Sequence, residues 1–500
     1  MKEISLGMAR AVILAAGDGK RMNSAKPKVL MNVLFQPMLG WVLDSVEDAG
    51  IKHENTAVVV GSNAEQVLDY LEKREGNYPH FFQHERKGTG HAVLQAFTQA
   101  EESATAQVKP ASGLLQIKQK FPRFAAGGSP DDDVLVLCGD APFMNSQTIK
   151  DAYIQHKKDD NDITVITAKV EPAGNYGRIK RDKNSNRLIS IVEMKDCSPA
   201  ELLINEVNSG AYWFKTERLL WALPQLQNNN KSGEFYLTDT AQLLNQKAGT
   251  YTADDSVIVL GANDRRQLRE LNELMADKIY DRHYSEGVDI IGHNVIIGKD
   301  VKIARDTLIM PNTIIKGKTS IGSGCVIGPD TYIDNCTIHE NVVLNSVQAF
   351  DSTIENNVKA GPFVHIRPGT VLRKGVKIGD FVEVKNSQIG EGTSLAHLTY
   401  IGDSDVGKKV NFGCGCVTAN YDGLGKYRTV IGDNAFIGCN TNLIAPVEVG
   451  ANSTTAAGST ITKNVPDGAL AIERGQMNIK ENWYKNNLRV RKAEEKKGNA

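Results

Sequence analysis

The sequence lacks the features that mark several protein classes. No stretch approaches the ~20 consecutive apolar residues that a membrane helix requires, and the seven cysteines include no CxxC pair. Neither a disulfide framework nor a zinc ribbon is therefore indicated. Excess charge of one sign is also absent, because 58 Lys and Arg residues face 59 Asp and Glu residues. This balance gives no electrostatic reason to bind nucleic acid or an anionic membrane.

The first ten residues contain no apolar segment typical of a signal peptide, so we expect reduced cysteines and a cytoplasmic location. Apolar residues make up 41% of the chain and charged residues 23%, which is typical of folded globular proteins. At roughly 150 residues per domain, 500 residues allow about three compact units. We therefore expect a folded protein with large cores.

The two halves of the chain differ in pattern, with a break near residue 287. Before it, short apolar runs alternate with amphipathic segments, which predicts an α/β domain with a mainly parallel sheet. The predicted buried strands are Ala11–Ala16, Ala57–Val60, Val134–Cys138 and Ile163–Thr167. Apolar residues then recur at helical spacing from Asn263 to Tyr284, which predicts a connecting helix.

After residue 287, an aliphatic residue followed by glycine recurs about every six positions, and this half contains 25 of the 45 glycines. A six-residue repeat predicts a parallel β-helix with the aliphatic side chains stacked inside. A β-helix that serves only as a scaffold remains an alternative at this point. The repeat includes Ile291-Gly292, Ile297-Gly298, Ile321-Gly322, Ile327-Gly328, Ile378-Gly379, Ile389-Gly390, Ile401-Gly402, Ile431-Gly432 and Ile437-Gly438.

A glycine-rich loop follows the first strand, with the sequence Leu14-Ala-Ala-Gly-Asp-Gly-Lys-Arg-Met22. Glycines let backbone N–H groups approach phosphate oxygens, and Arg21 and Lys28 supply compensating charge. A dinucleotide site requires GxGxxG, but Met22 occupies the third glycine position. The remaining alternative is a plain strand-to-helix turn with solvated basic residues.

Several motifs together resemble a known family. The loop with Lys28, Gly88-Thr-Gly-His91 and Gly139-Asp140 is similar to the sugar-1-phosphate nucleotidylyltransferases. Tyr176-Gly-Arg-Ile179 and Glu234-Phe-Tyr-Leu-Thr-Asp239 resemble more closely the bacterial bifunctional N-acetylglucosamine-1-phosphate uridylyltransferases/glucosamine-1-phosphate N-acetyltransferases. The resemblance covers nearly the whole chain. It implies a Rossmann-like domain, a linker helix and a left-handed parallel β-helix that assembles as a homotrimer.

For the first half, the resemblance implies attack of a sugar-1-phosphate oxygen on the α-phosphorus of UTP. Arg21 and Lys28 are the expected catalytic cations, and Asp140 and Asn263 are the expected Mg²⁺ ligands. Mg²⁺ suits this pair because it retains waters and phosphate oxygens as further ligands. The implied contacts with UTP or the sugar nucleotide are Leu14, Ala15, Ala16, Gly17, Lys28, Gln83, Gly88, Thr89, Gly177, Glu193, Asn208 and Asn263.

For the second half, the resemblance implies acetyl transfer from acetyl-CoA to glucosamine 1-phosphate. The expected general base is His397, in the sequence His-Leu-Thr-Tyr400, although His365 beside Arg367 is a chemically capable competitor. The implied sugar-phosphate contacts are Arg367, Lys385, Tyr400 and Asn411, and the implied acetyl-CoA contacts are Cys414, Asn420, Tyr421, Cys439, Ala457 and Arg474. A scaffold has no need of so many polar groups.

The chain departs from the family pattern at Lys20, Cys138, Cys414 and Cys439, where the family often has Thr, Tyr, Ala and Ser. A thiol is a weaker donor than a hydroxyl, which makes a hydrogen-bonding role of the Cys439 side chain doubtful. A segment from residue 101 to 133 looks like an exposed insertion.

The expected division is a uridylyltransferase domain at 1–262, a linker helix at 263–287, a β-helix acetyltransferase domain at 288–480 and a basic tail at 481–500. Two rival functions remain. One is a pyrophosphorylase whose β-helix serves only assembly, and the other is a non-catalytic regulatory subunit. The residues around His397 argue against the first. The second is disfavoured because the loop and metal residues are present together, namely Arg21, Lys28, Asp140 and Asn263.

Overall fold

The computed structural model describes residues 6, 9–17, 19–61, 64–74, 76–102, 132–486 and 488–498. The chain divides into two compact units, Met1–Asp277 and Lys278–Ala500. The division falls within the helix that the sequence predicts as a linker, which runs from Arg265 to Ser285. Most of the expected insertion, from 103 to 131, lies outside the described residues.

The first unit is built on a nine-stranded sheet, counted over its described residues. Its strands are β1 (Arg10–Ala15), β4 (Thr56–Val60), β5 (His80–Phe82), β6 (Asp133–Cys138), β7 (Ile163–Lys169), β8 (Arg178–Arg181), β9 (Leu188–Val192), β10 (Glu206–Lys215) and β11 (Ala248–Thr252). A separate small hairpin is formed by β2 (Asn32–Val33) and β3 (Gln36–Pro37). Along the main path of the sheet the strand order is β11-β7-β10-β6-β1-β4-β5, and β8 and β9 form a hairpin beside β10.

Along the main path of this sheet, four of the six pairings between described strands are parallel, as the alternating pattern predicts. Strand β1 lies between β4 and β6 and pairs with both in parallel, whereas β10 is antiparallel to β6 and β7. The α-helices of the described residues are α1 (Met38–Asp48), α2 (Ala64–Lys73), α3 (Thr89–Glu102), α4 (Ser146–Lys158), α5 (Thr216–Ala222), α6 (Thr240–Leu243), α7 (Arg265–Ser285), α8 (Trp483–Asn486) and α9 (Leu488–Gly498).

Both faces of the central sheet are buried. Val12 and Ile13, adjacent on β1, are fully buried and belong to different hydrophobic clusters, because successive side chains of a strand point to opposite faces. Trp213 on β10 is also fully buried, and its indole N–H donates to the carbonyl of Ile149 on α4 at 3.1 Å. This two-sided burial explains why the strands read as continuous apolar runs.

The second unit is a β-helix made of three parallel sheets, which we call the first, second and third faces. The first face comprises Asp289–Ile290, Leu308–Ile309, Val326–Ile327, Val343–Leu344, Lys359–Ala360, Lys377–Asp380, Ser394–His397, Asn411–Phe412, Phe436–Ile437, Thr454–Thr455 and Leu470–Ala471. The second comprises Ile296–Ile297, Ile314–Lys316, Tyr332–Asp334, Val347–Phe350, Val364–Ile366, Glu383–Lys385, Tyr400–Gly402, Val417–Ala419, Asn442–Ile444 and Thr460–Ile461. The third comprises Lys302–Ile303, Ser320–Ile321, Thr337–Ile338, Thr353–Ile354, Val371–Leu372, Gln388–Ile389, Ser404–Val406, Thr429–Ile431 and Val447–Val449.

The interior of the β-helix is filled by stacked aliphatic side chains. Ile297 pairs with Ile315, which in turn pairs with Ile333, and all three are at most 1% exposed. The same register continues along the other faces. Each hexad therefore supplies one of the three faces, and three hexads complete one coil. This architecture agrees with the expected left-handed β-helix.

One corner of the β-helix carries a column of residues with left-handed backbone, the conformation in which Asn and Gly are enriched. Asn294 and Asn312 follow this preference. Phe363, Phe381 and Leu398 do not, although each has a φ between 43° and 57°. The side chains of these three are about 60% exposed, and the two phenyl rings stack with centroids 5.2 Å apart. An exposed apolar ridge thus occupies backbone positions that bulky residues adopt only at a cost.

The basic tail contains the two C-terminal helices, α8 and α9. Among the described residues, no helix is long and apolar enough to cross a membrane.

Truncation of Ile333 to Ala should lower the free energy of unfolding by about 2–5 kcal/mol, because it leaves a cavity between two coils. Urea unfolding followed by far-UV circular dichroism measures this change. Thr337→Ala is the matched control, since Thr337 lies on the next face with an exposed side chain. Its midpoint should be close to that of the wild type. Equal losses in the two variants would contradict the stacked interior.

Candidate active sites

The first candidate site lies at the carboxyl ends of β1 and β6. Leu14 pairs with Cys138, and the N–H of Gly139 donates to the carbonyl of Leu14 at 2.9 Å. Parallel pairing places the loops that follow the two strands side by side, which is where α/β sheets bind ligands. The glycine-rich loop and Asp140 are brought together in this way.

A cavity of about 380 Å³ opens at this edge. It is lined by ten residues expected from the sequence, which are Leu14, Ala16, Gly17, Arg21, Lys28, Gln83, Gly88, Thr89, Asp140 and Asn263. Ala15 differs, because its side chain is 4% exposed and packs in the core. Any ligand contact of Ala15 would therefore involve its backbone. The cavity is also lined by residues that we did not single out as ligand contacts, including Arg86 and Glu234.

Lys28 lies between the two expected metal ligands. Its Nζ forms an ion pair with Asp140 Oδ2 and donates to Asn263 Oδ1 at 2.9 Å. A carboxylate and an amide oxygen thus converge on one cation. Oxygen donors of this kind suit a hard divalent cation, so Asp140 and Asn263 fit the expected Mg²⁺.

Gln83 and Gly88 also line the cavity and are hydrogen-bonded to each other. The Gln83 side chain is 6% exposed, and its Nε2 donates to the carbonyl of Gly88 at 3.0 Å. Gly88 has a φ of 107°, and a Cβ there would lie 2.6 Å from the carbonyl oxygen of Phe235. The Oγ1 of Thr89, at the start of α3, accepts from the N–H of Leu237 at 3.0 Å. The 234–239 motif is therefore tied to this loop.

The three expected sugar contacts lie together, with Gly177 just before β8, Glu193 just after β9 and Asn208 on β10. The N–H of Asn208 donates to the carbonyl of Gly177 at 2.9 Å, and a Cβ at Gly177 would lie 3.5 Å from Glu193 Oε1. Burial raises the pKa of Glu193, whereas the hydrogen bond that Thr238 donates at 3.2 Å acts in the opposite direction. Asn208 also donates to the hydroxyl of Tyr212 at 2.6 Å. These side chains are held in place by the protein itself.

The second candidate site includes a column of side chains on consecutive coils. Backbone N–H groups of Gly415, Asn440 and Gly458 donate to the carbonyls of His397, Cys414 and Cys439 at 3.4, 2.7 and 2.7 Å. The repeated pattern stacks His397, Cys414, Cys439 and Ala457 in one line. The expected base and three expected acetyl-CoA contacts are thereby brought together.

The two histidine candidates lie on different faces. His397 ends a strand of the first face and is exposed. His365 is on the second face, where its ring packs edge-on against Phe350 with centroids 5.7 Å apart. Only His397 belongs to the column of acetyl-CoA contacts, which supports its expected role as the base.

The expected phosphate-binding cations lie on the second face. Arg367 is hydrogen-bonded through its backbone to Val384 and forms an ion pair with Glu383 at 2.7 Å. A hydrogen bond with Lys426, followed by burial, lowers the pKa of Lys385. Lys426 was missed by the sequence analysis, because its loop is far from Lys385 along the chain and carries no distinctive motif at that position.

The remaining expected contacts are distributed over the first and second faces and the segments that follow them. Tyr400 pairs with Glu383 in the register of the second face. Asn411 is exposed and begins the strand Asn411–Phe412 of the first face. Asn420 is 8% exposed, whereas Tyr421 is 62% exposed and donates through its hydroxyl to Gly423 at 2.7 Å. The exposed Arg474 lies against Gly458, next to Ala457. The structure thus leaves Tyr421 and Arg474 accessible.

Comparison with known proteins agrees with both halves. Residues 11–178 match the MobA-like NTP transferase domain. Residues 300–335, 351–386 and 428–463 match the bacterial transferase hexapeptide repeats. The chain is similar to the bifunctional protein GlmU of Acetivibrio thermocellus, with 44% identity over 95% of this chain and 96% of the relative.

The chain belongs to the GlmU family of bifunctional proteins. The similarity extends to the relatives from Clostridium kluyveri, with 42% identity over 96% of this chain and 99% of the relative, and Thermoanaerobacter pseudethanolicus, with 43% identity over 96% and 98%. The expected family and fold class are confirmed. So is the expected bifunctional enzyme, with a nucleotidyltransferase half and an acyltransferase half. As a nucleotidyltransferase of the GlmU family, it uses a nucleotide as a substrate.

The cysteines of the second unit should differ strongly in reactivity. Cys439 is exposed, whereas Cys416 is 1% exposed and burial raises the pKa of its thiol to about 11. Because the thiolate is the reactive species, N-ethylmaleimide at pH 7.5 should label Cys439 at least tenfold faster than Cys416. Peptide mass spectrometry over a time course measures both rates. Equal labelling would contradict the burial of Cys416.

Proposed function

We propose that the chain acetylates glucosamine 1-phosphate with acetyl-CoA and then transfers UMP from UTP to N-acetylglucosamine 1-phosphate, releasing pyrophosphate. The observation that carries this proposal is the presence of two separate polar sites on one chain. One has Lys28 held between Asp140 and Asn263, and the other has His397 aligned with Cys414. A rival with a single activity would need only the first of these sites.

In uridylyl transfer, the attacking group is a phosphate that is already ionised, so no protein nucleophile is required. The barrier lies in bringing two anions together and aligning them. Arg21 and Lys28 line the same cavity as the glycine-rich loop and supply positive charge there. Gly177, Glu193 and Asn208 bind the sugar, and the backbone of residues 14–17 binds the nucleotide.

Asp140 and Asn263 would hold Mg²⁺, which when bound neutralises phosphate charge and aligns the reacting oxygens. The convergence of their oxygens on the Lys28 ammonium supports this assignment. With Asp140 and Asn263 engaged by the metal, the Lys28 ammonium would be available to bind phosphate.

In acetyl transfer, the substrate amine arrives largely as an ammonium ion, which has no lone pair for attack on a thioester. His397 removes this proton as the general base. Arg367 and Lys385 bind the phosphate of the sugar, and Lys426 adds a third positive charge beside them. The column through Cys414, Cys439 and Ala457 binds acetyl-CoA, with Asn420, Tyr421 and Arg474 at its sides. Tyr400 and Asn411 complete the sugar contacts.

The chain forms a homotrimer through its β-helix and acts in the cytoplasm. The exposed ridge of Phe363, Phe381 and Leu398 supports assembly, because solvent-exposed apolar clusters mark interaction surfaces. Uridylyl transfer belongs to residues 1–262 and acetyl transfer to residues 288–480, with the helix at 263–287 between them.

If the chain forms a homotrimer, light scattering of the intact protein should give a mass of about three times 54.6 kDa. The mass of a monomer would overturn the assembly.

Asp140→Ala should lower uridylyl transfer more than about 10²-fold and leave acetyl transfer nearly unchanged, because it removes a metal ligand from one site only. Pyrophosphate release and CoA release measure the two activities separately. Asp69→Ala is the control, since it removes an exposed carboxylate of α2 that pairs with Lys73. Uridylyl transfer at the wild-type rate in Asp140→Ala would overturn the metal assignment.

His397→Ala should lower acetyl transfer by roughly 10²- to 10⁴-fold and leave uridylyl transfer nearly unchanged, since a positioned general base contributes about this much. The residual rate should rise with pH as more of the substrate amine becomes neutral. CoA release from pH 6.5 to 9 measures both effects. His365→Ala is the matched control and should cost far less. A large loss in His365→Ala alone would transfer the role of the base to that residue.

A further inference from the structure

Asp403 connects several parts of the acetyl-transfer site, although the sequence analysis gives it no role. It follows the strand Tyr400–Gly402 and is 6% exposed. Its carboxylate accepts a hydrogen bond from Asn386 Nδ2 at 2.5 Å and another from the side-chain amide of Asn420. Asn420 is a proposed acetyl-CoA contact. A single buried carboxylate therefore fixes the amide of this residue.

The backbone of Asp403 is equally constrained. Its φ is 49°, a left-handed conformation that non-glycine residues seldom adopt. Its N–H donates to the carbonyl of Lys385 at 3.0 Å, and its carbonyl accepts from Thr429 at 3.2 Å. Asp403 thus joins the strand of Lys385 to the strand that follows the 420–428 loop.

The charge of Asp403 also acts on Lys385, which is influenced in turn by Lys426 and Arg367. Burial alone would raise the pKa of the Asp403 carboxyl group, but hydrogen bonds from Asn386 and Asn420 and the charges of Lys385 and Lys426 lower it. In return, Asp403 raises the pKa of Lys385, against the lowering effects of Lys426, burial and Arg367. The carboxylate therefore favours the charged form of Lys385 beside the like charge of Lys426.

We infer that Asp403 is a positioning residue of the acetyl-transfer site, which orients Asn420 toward acetyl-CoA and holds Lys385 and Lys426 together for the sugar phosphate. This inference rests on the proposed function. It assigns to one side chain the alignment of both substrates. Replacing the carboxylate by an amide would remove the negative charge and set an N–H₂ group against the donors of Asn386 and Asn420.

Asp405 provides a matched control two residues further along the chain. Its side chain is 46% exposed and forms an ion pair with Arg428 at 2.5 Å. This acid therefore links two coils through a surface pair, which contributes little to stability or to a distant site. Asp405→Asn and Asp403→Asn remove the same charge from neighbouring positions.

The experiment compares the steady-state acetyl transfer of the wild type, Asp403→Asn and Asp405→Asn in the full-length protein. We expect Asp403→Asn to raise the KM for both glucosamine 1-phosphate and acetyl-CoA about tenfold or more, with kcat within about threefold of wild type. Uridylyl transfer should be unchanged. Asp405→Asn should match the wild type in every parameter.

The pH dependence of the KM for glucosamine 1-phosphate distinguishes a positioning role of Asp403 from a purely structural one. Lys385 faces Lys426, Arg367 and Asp403. Because Asp403 raises the pKa of Lys385, its removal should let Lys385 lose its proton at lower pH. The rise in KM for glucosamine 1-phosphate on the alkaline side should therefore begin at lower pH in Asp403→Asn than in Asp405→Asn.

Asn386→Ala keeps the inference testable if Asp403→Asn does not fold. It removes one of the two amide donors to Asp403 and should raise both KM values about threefold. Wild-type acetyl transfer tests the proposed function by itself. If the wild type acetylates glucosamine 1-phosphate but Asp403→Asn matches Asp405→Asn, or if only kcat falls, the role of Asp403 is overturned.

Discussion

Parallel pairing of strands in register is the constraint on which both sites depend. In the first unit it places Leu14 beside Cys138, so that a glycine-rich loop and a carboxylate far apart in the chain emerge at one edge of a sheet. In the second unit it stacks coil on coil, so that residues at equivalent positions form columns. Neither arrangement requires a special local motif. It follows from backbone hydrogen bonds that leave the side chains free to serve chemistry.

Both sites also manage charge in the same way. In the first, Lys28 is balanced by Asp140, and in the second, Lys385 and Lys426 are balanced by Asp403. Each cation is therefore held close to the place where a phosphate is expected, without a large desolvation penalty. The compensating acids are as much a part of these sites as the cations. Their positions decide where the cations point.

The sequence predicted the features that arise from local pattern. The buried strand at Ala57–Val60 and the stacked isoleucines follow from runs and periods that are visible in the chain. The resemblance located the residues of the first cavity, because they stand in short continuous motifs. The fold class could therefore be inferred almost completely.

Lys426 and Asp403 could not be recognised in this way, because each acts through a partner on another coil. Lys426 acquires its significance only when its loop places it beside Lys385, and Asp403 only when Asn386 and Asn420 meet on its carboxylate. The hydrophobic period likewise gives no warning of Phe363 and Phe381 at left-handed corners, where Asn or Gly is the usual choice. The hexad pattern predicts which residues of one coil point inward, but it does not predict which side chains of different coils meet.

The stacking of coils has a consequence for distance. Neighbouring parallel strands are about 4.8 Å apart, so His397 and Ala457, three coils apart, are separated by about 14 Å along the axis. Distances along the axis of the β-helix are therefore multiples of the strand spacing, and they can change only by whole coils. The 420–428 loop adds residues between Asn411 and Phe436, yet these two positions still pair directly. The extra residues are inserted at a corner between the second and third faces. The axial spacing of the residues proposed to bind the long acetyl-CoA molecule is therefore unchanged.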